Sequence, residues 1–217
     1  MTRKIAAIAA VLMAFPAICA ARIPVPSFLK YDGLSLRADV RIGANISDMM
    51  YLVPRSGMSY VRMDRVSGLN AGAGLTLDIL RGVSLETGVT LTEWGGWDKA
   101  VLNNKYASTW LQAPLLLTLG FGYADTVRIY IQGGGYAAYG VGGKTLNEVA
   151  SYPFFGDDEV ATPFDFGLSG GFGACFLEHF RAGLRYDYGL RNISAGNIKK
   201  IASLYNETIT FHIGYVF

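Results

Sequence analysis

Residues 180–191 read F-R-A-G-L-R-Y-D-Y-G-L-R, and the alternation within them decides the fold. Phe180, Ala182, Leu184, Tyr186, Tyr188 and Leu190 share one face, while Arg181, Gly183, Arg185, Asp187, Gly189 and Arg191 share the other. Side chains alternate across a strand with period two, so this stretch is a strand with one apolar and one strongly charged face. A helix would scatter the arginines around its circumference. At about 3.3 Å per residue the stretch reaches roughly 35 to 40 Å, enough to cross a bilayer core at a tilt. A soluble barrel of the lipocalin kind would turn the charged face to water, and a membrane barrel would turn it to the lumen. The rest of the chain has to choose.

Composition points to the membrane. Of the 217 residues, 51% are hydrophobic, with 27 glycines, 13 tyrosines and 12 phenylalanines. Beyond the N-terminus no apolar run reaches the roughly 18 residues of a membrane helix, so the hydrophobicity is spread over alternating strands. Residues 1–21 look like a secretory signal: Arg3 and Lys4, an apolar stretch from Ile5 to Ala14, then A-I-C-A-A at 17–21. Pro16-Ala17-Ile18 before Cys19 fits a lipoprotein anchor poorly. Without Arg3 and Lys4 the basic and acidic residues balance, so nothing suggests nucleic acid or a polybasic surface. Cys175 is then the one cysteine left, which excludes an intramolecular disulfide.

After a proline-broken lead-in at 22–32, the pattern divides 33–217 into eight strands: about 33–46, 66–80, 83–94, 106–120, 126–141, 161–176, 180–191 and 205–217. Pro114 in the fourth predicts a bulge or an unpaired position. Connections at 80–82, 121–125 and 177–179 are short; those at 47–65, 95–105, 142–160 and 192–204 are long. Short turns on one side and long loops on the other, with an even strand number, define an outer-membrane barrel. Tyr51, Tyr60, Trp94, Trp97, Trp110, Tyr123 and Tyr215 lie near strand ends, where interfacial girdles are expected, and Phe217 falls on the apolar face. The expected fold is all-β, an eight-stranded antiparallel up-and-down transmembrane barrel with short periplasmic turns and long extracellular loops.

Several stretches carry a resemblance: Y-A-S-T-W-L-Q-A-P-L-L-L-T-L (106–119), R-I-Y-I-Q-G-G-G-Y-A-A-Y-G-V-G-G-K (128–144), D-F-G-L-S-G-G-F-G (165–173), R-Y-D-Y-G-L-R-N-I (185–193) and H-I-G-Y-V-F (212–217). Together they resemble the PorT-like outer-membrane β-barrel, or porin-family, proteins of the Bacteroidetes type. The likeness covers about 106–217 by motif and the first three strands by pattern. It implies an eight-stranded barrel in the outer membrane; one member assists protein secretion, and no motif here carries that role over.

The expected lumen holds Arg37, Arg41, Arg128, Arg181, Arg185 and Arg191 with Asp39, Asp78, Glu86, Asp165 and Asp187. A barrel of eight strands barely contains its own side chains, so these charges must pair, because an isolated buried ion is costly. The reading is an ion-pair plug, with a narrow charged pore as the functional alternative. Glycines at 133–135, 140–143 and 167–173 lack a Gly-Lys-Ser/Thr and a following helix, so they make no nucleotide site and instead relieve crowding beside Tyr and Phe. His212 faces the expected lumen and His179 sits in a periplasmic turn; neither stands beside a serine or acid as an outer-membrane hydrolase needs, and two scattered histidines make no metal site. The sequons Asn45-Ile46-Ser47, Asn192-Ile193-Ser194 and Asn206-Glu207-Thr208 are chance matches in a bacterial outer membrane. Phe154 and Phe155 beside Asp157, Asp158 and Glu159 either dock a partner or cation, or fold back over the barrel rim.

The functional expectation is a structural or interaction role through the extracellular loops, without catalysis, cofactor or metal. Its surroundings are outer-membrane lipid and a protein partner at the loops, with no nucleic acid, in a monomer. The alternatives are a narrow pore or secretion-accessory barrel, and behind these a lipid-modifying enzyme.

Overall fold

The computed structural model describes residues 34–53, 59–80, 82–99, 103–123, 127–147, 151–156, 159–196, 198–200 and 202–217. The signal-like segment 1–21, the lead-in 22–32, Arg81, Asp157 and Asp158 lie outside the described residues. In chain order the strands are β1 (Ser35–Val53), β2 (Ser59–Arg62), β3 (Val66–Leu80), β4 (Val83–Asp98), β5 (Asn104–Tyr123), β6 (Val127–Leu146), β7 (Ser151–Pro153), β8 (Phe164–Phe176), β9 (Phe180–Gly189) and β10 (Ser203–Val216). Eight of them pair antiparallel with their neighbours in the order β1, β3, β4, β5, β6, β8, β9, β10. Pairing of β10 back onto β1, from Asp39↔Val216 to Leu52↔Ser203, closes the ring. The two short strands are spurs at the long-loop end: β2 continues the β1 edge and β7 folds back on β6.

Closure leaves two surfaces, and their chemistry is inverted relative to a soluble protein. Ile42, Leu69, Leu115, Ile129, Leu168, Phe172 and Phe211 are each more than half exposed on the outside. Arg41, Glu86, Gln112, Arg185, Asp187 and His212 are buried within. Burying ions while exposing large aliphatic side chains is costly in water and favourable when hydrocarbon surrounds the wall. The stretch 180–191 shows the choice within one strand: Phe180, Leu184 and Tyr186 are exposed, and Arg181, Arg185 and Asp187 are buried.

Pro114 lies inside continuous β5. It pairs with Tyr136 on β6, while pairing with β4 lapses between Thr87↔Leu115 and Thr90↔Gln112 without a change of register. That is the unpaired position expected of a residue without an N–H. Thr87 Oγ1 donates to the Pro114 carbonyl at 2.9 Å, and the bulge falls instead at Thr109/Trp110 in the β5–β6 pairing.

Strands on the long-loop side run further than the alternation suggests. β1 extends to Val53, β4 passes through Trp94-Gly95-Gly96-Trp97 to Asp98, and β6 reaches Leu146. The expected loops at 47–65 and 95–105 are therefore partly barrel wall, and the β4–β5 connection shrinks to 99–103. Cross-strand pairing holds Gly95 and Gly96 to Ala107 and Tyr106, which overrides the breaking tendency of a Gly-Gly pair. A second correction concerns the girdle. Trp94 and Trp110 are buried inside the barrel, and Tyr51 turns inward to donate to Tyr106 Oη at 3.2 Å. Trp97 and Tyr215 do stand on the outside; the side chains of Tyr60 and Tyr123 lie outside the description.

Candidate functional site

The interior is stacked in three tiers, beginning with a mouth at the short-turn end. It is a cavity of about 400 Å³ lined by Arg37, Asp78, Arg128, Cys175, Glu178 and His179. Arg37 grips Asp78 with two hydrogen bonds of 2.8 Å, from Nε and Nη2, and Ser35 and Ser84 donate to the same carboxylate. Arg128 lines this mouth without an ion pair among the described residues. His179 sits at the rim of this mouth, its Nδ1 3.0 Å from the Val216 carbonyl and its ring stacked on Tyr215 with centroids 5.4 Å apart.

Above the mouth lies an ionic layer. Arg41 donates from Nε and Nη2 to both oxygens of Asp39, at 2.8 and 2.9 Å, and from Nη1 to Glu86 Oε1 at 2.8 Å. Arg181 Nη2 takes the other Glu86 oxygen at 2.7 Å. It also donates to Tyr130 Oη at 2.8 Å and Gln132 Oε1 at 2.9 Å, with its guanidinium over the Tyr130 ring. Tyr130 Oη lies 3.5 Å from His212 Nε2, so the one buried histidine is a member of this layer. A second knot sits higher: Arg185 bonds Asp187 and Gln112, Gln112 Nε2 donates to Asp187 at 3.1 Å, and Ser169 donates to the remaining oxygen of Asp187. Charges so satisfied are immobile, because moving one strands its partner in a low-dielectric interior.

The top tier is aromatic. Trp94 and Trp110 lie 5.1 Å apart, Tyr136 meets Trp94 edge-on at 5.8 Å, and Phe155 meets Trp110 edge-on at 4.9 Å. Phe154 and Tyr106 complete the cluster, packed with Met49, Met63, Ile193 and Leu204. Phe154 and Phe155 enter from the segment after β7, so the structure follows the second of the two expectations for this loop, in which it packs over the rim. Phe154 is fully buried and Phe155 partly so. Gly140 makes room: a Cβ there would lie 2.2 Å from Phe155 Cζ. Glu159 is half-buried beside Gly156, and β7 is exposed along its length.

Of the eleven charged residues expected in the lumen, Asp39, Arg41, Glu86 and Arg181 form one network, Arg185 and Asp187 another, and Arg37 with Asp78 a pair at the mouth. Asp165 is buried but receives Tyr136 Oη and Asn206 Nδ2 in place of a cation. Arg191 corrects the expectation. β9 ends at Gly189, the alternation lapses, and the guanidinium lies 5.1 Å from the centre of outward-facing Phe164. The uncharged members Gln112, Tyr130, Gln132 and Ser169 and the inward placement of Trp94, Tyr106, Trp110 and Tyr136 are not among the sequence expectations. A signal for them existed: Trp94 shares the parity of Thr90 and Thr92, and Trp110 that of Ser108 and Gln112.

The family model described as "Outer membrane protein beta-barrel domain" matches residues 31–195. No curated protein sequence matches the chain. Among solved structures, OprG from Pseudomonas aeruginosa is similar at 15% identity and TM-score 0.46, covering 85% of this chain and 96% of that one. Ail of Yersinia pestis, solved in complex with the heparin analogue sucrose octasulfate, is similar at 13% identity and TM-score 0.44, covering 84% and 99%. The outer membrane enzyme PagL is similar at 16% identity and TM-score 0.44, covering 78% and 97%.

Proposed function

We propose, from the premise that this chain belongs to the outer membrane β-barrel domain family, that it is a non-conducting barrel acting through its extracellular end as a structural or interaction protein. Family membership implies the outer membrane. Residues 1–21 then serve as the cleaved export signal, and the barrel is a monomer of the PorT-like kind. The observation that carries the reading is the double seal: an ionic layer joined by Glu86 and an aromatic tier closed by Phe154. A solute path would have to break both.

With Phe154 inside, the surface left for a protein partner is the β6–β7 hairpin, where Tyr152 is 53% exposed. Among the described residues β7 pairs with β6 alone, leaving an outer edge of the kind that accepts a further strand. A catalytic role is disfavoured because His212 is sealed beside Tyr130 and His179 is stacked on Tyr215. The test is conductance of the refolded protein in a planar bilayer. The reading expects no steps above the bare membrane; steady single-channel openings from wild-type protein would replace it with the narrow-pore reading. Hydrolysis or acyl transfer on purified outer-membrane lipid would replace it with an enzymatic one.

A further inference from the structure

Arg128 is the unanswered charge at the short-turn end. Its neighbours are held, Arg37 by Asp78 and Arg181 by Glu86 and Tyr130. Arg128 lines the mouth with neither an ion pair nor a side-chain hydrogen bond among the described residues. Its guanidinium is nevertheless placed. It reaches past its own β5 partner, Gly122, to lie against Gly120, where a Cβ would come within 2.4 Å of Nε and 2.9 Å of Cζ. Glycine at 120 leaves the room in which the planar group rests.

The acids of the mouth are spent or distant. Asp78 accepts from Arg37 twice and from Ser35 and Ser84, which fills its carboxylate. Glu178 stands in the exposed turn at the rim. Deeper in, a chamber of about 30 Å³ shares Arg37, Arg128 and Cys175 with the mouth and ends on Glu86 and Arg181. Thr118 lines that chamber; it is 9% exposed, and its hydroxyl has no partner. The charges acting most strongly on the Cys175 thiol, in the shared wall, are Arg181, Arg37 and Arg128, with Glu86 after them. The cavity thus combines a positive field, a guanidinium with open donors and an unused hydroxyl at its inner end.

We propose that the mouth binds a small oxyanion, the phosphate or carboxylate group of a periplasmic solute, through Arg128 with Thr118 beneath it. A guanidinium meets such a group with two parallel N–H bonds, a geometry that chloride cannot use. About 400 Å³ is the volume of a small-molecule pocket. Arg41 and Arg181 close the floor through Glu86, so the anion enters and leaves by one end and is bound, not conducted. That the solute is periplasmic rests on the outer-membrane reading above. The binding itself does not, and it is measured in detergent, where orientation plays no part.

Cys175 supplies the reporter. In the refolded chain carrying Cys19→Ser it is the single thiol. Its labelling is timed, in a phosphate-free detergent, with two methanethiosulfonates of similar size, one bearing a sulfonate and the other a trimethylammonium group. The sulfonate should react about tenfold faster or more, because a confined positive field concentrates anions. Millimolar inorganic phosphate should slow labelling severalfold, and chloride of equal ionic strength should not. Arg128→Ala should remove both the preference and the protection; should it fail to refold, Gly120→Ala, which displaces the guanidinium, serves in its place. Thr118→Val should weaken the protection and keep the preference, while Glu178→Gln should keep both. The phosphorus NMR line of phosphate should broaden with wild-type protein and not with Arg128→Ala, a readout that needs no thiol. Equal rates for the two reagents would overturn the proposal, as would a phosphate line that stays narrow or a protection that survives Arg128→Ala. Protection by anionic phospholipid vesicles but not by free phosphate would give the site to a lipid headgroup and refute the assignment.

Discussion

Phe155 meets Trp110 edge to face, ring centroids 4.9 Å apart and planes at 87°, and this contact fastens an outer loop to the barrel interior. The partner ring Phe154 has no exposed surface. Phe154→Ala should therefore lower stability by about 3 kcal/mol or more, as removal of a buried phenylalanine does. Gly140→Ala should act through the same contact by forcing Phe155 from its place. Both should redden tryptophan emission, because Trp94 and Trp110 lose their cover. Emission unchanged in both variants would show that the loop does not form the lid.

Glu86 is the joint between two arginines. Arg41 and Arg181 hold its two oxygens at 2.8 and 2.7 Å in a buried layer. Glu86→Gln removes the charge and leaves two guanidiniums with Asp39 as their nearest anion. A loss of about 3 kcal/mol or more is expected, the usual result of stranding a buried ion. Heat-dependent gel mobility measures it directly, the variant shifting at a lower temperature than wild type. Tyr130→Phe should cost less, about 1–3 kcal/mol, since it removes the acceptor for Arg181 Nε and the long contact with His212 Nε2 but no charge.

Conductance should need lesions in both the aromatic and the ionic seals. Deleting 151–163 removes the aromatic seal but leaves Arg185, Asp187 and Gln112 knotted across the lumen. That deletion alone should stay silent in a planar bilayer. Combining it with Arg185→Ala and Glu86→Gln should open both ionic layers and allow small-ion leakage. Conductance from the deletion alone would show that the ionic tiers do not block the path.

These outcomes separate what the sequence made legible from what it did not. The inward set on β9, Arg181, Arg185 and Asp187, followed from period two alone, because one misplaced residue would have turned every charge to lipid. Arg191 failed under the same rule, since parity holds only while the strand lasts and β9 stops at Gly189. Trp94 and Trp110 suit a girdle by residue type, yet their parity with Thr92 and Gln112 places them within. The loop placement of Phe154 depends on Gly140 and on Tyr106, distant in sequence, and no local pattern encodes that meeting. The contact of Asn206 with Asp165 is illegible for a similar reason: it requires β8 and β10 to reach over Gly189 on β9.

The outer surface gives the plainest test of which face meets hydrocarbon. Leu115 is 57% exposed near the middle of β5, and its neighbour Leu116 is fully buried toward the lumen. Tyr139, on β6, is 55% exposed toward the long-loop end. In a lipid-embedded barrel Leu115→Arg should cost about 2–4 kcal/mol, whereas Tyr139→Arg, near the interface, should cost about 0–1 kcal/mol. In a water-soluble barrel of the same shape both are exposed surface changes, each expected within about 0.5 kcal/mol of wild type. Unfolding midpoints in phospholipid vesicles distinguish the cases. A steep difference between the two sites marks the depth of the bilayer on the wall. Two equally mild variants would mean that the exposed leucines and phenylalanines face something other than lipid.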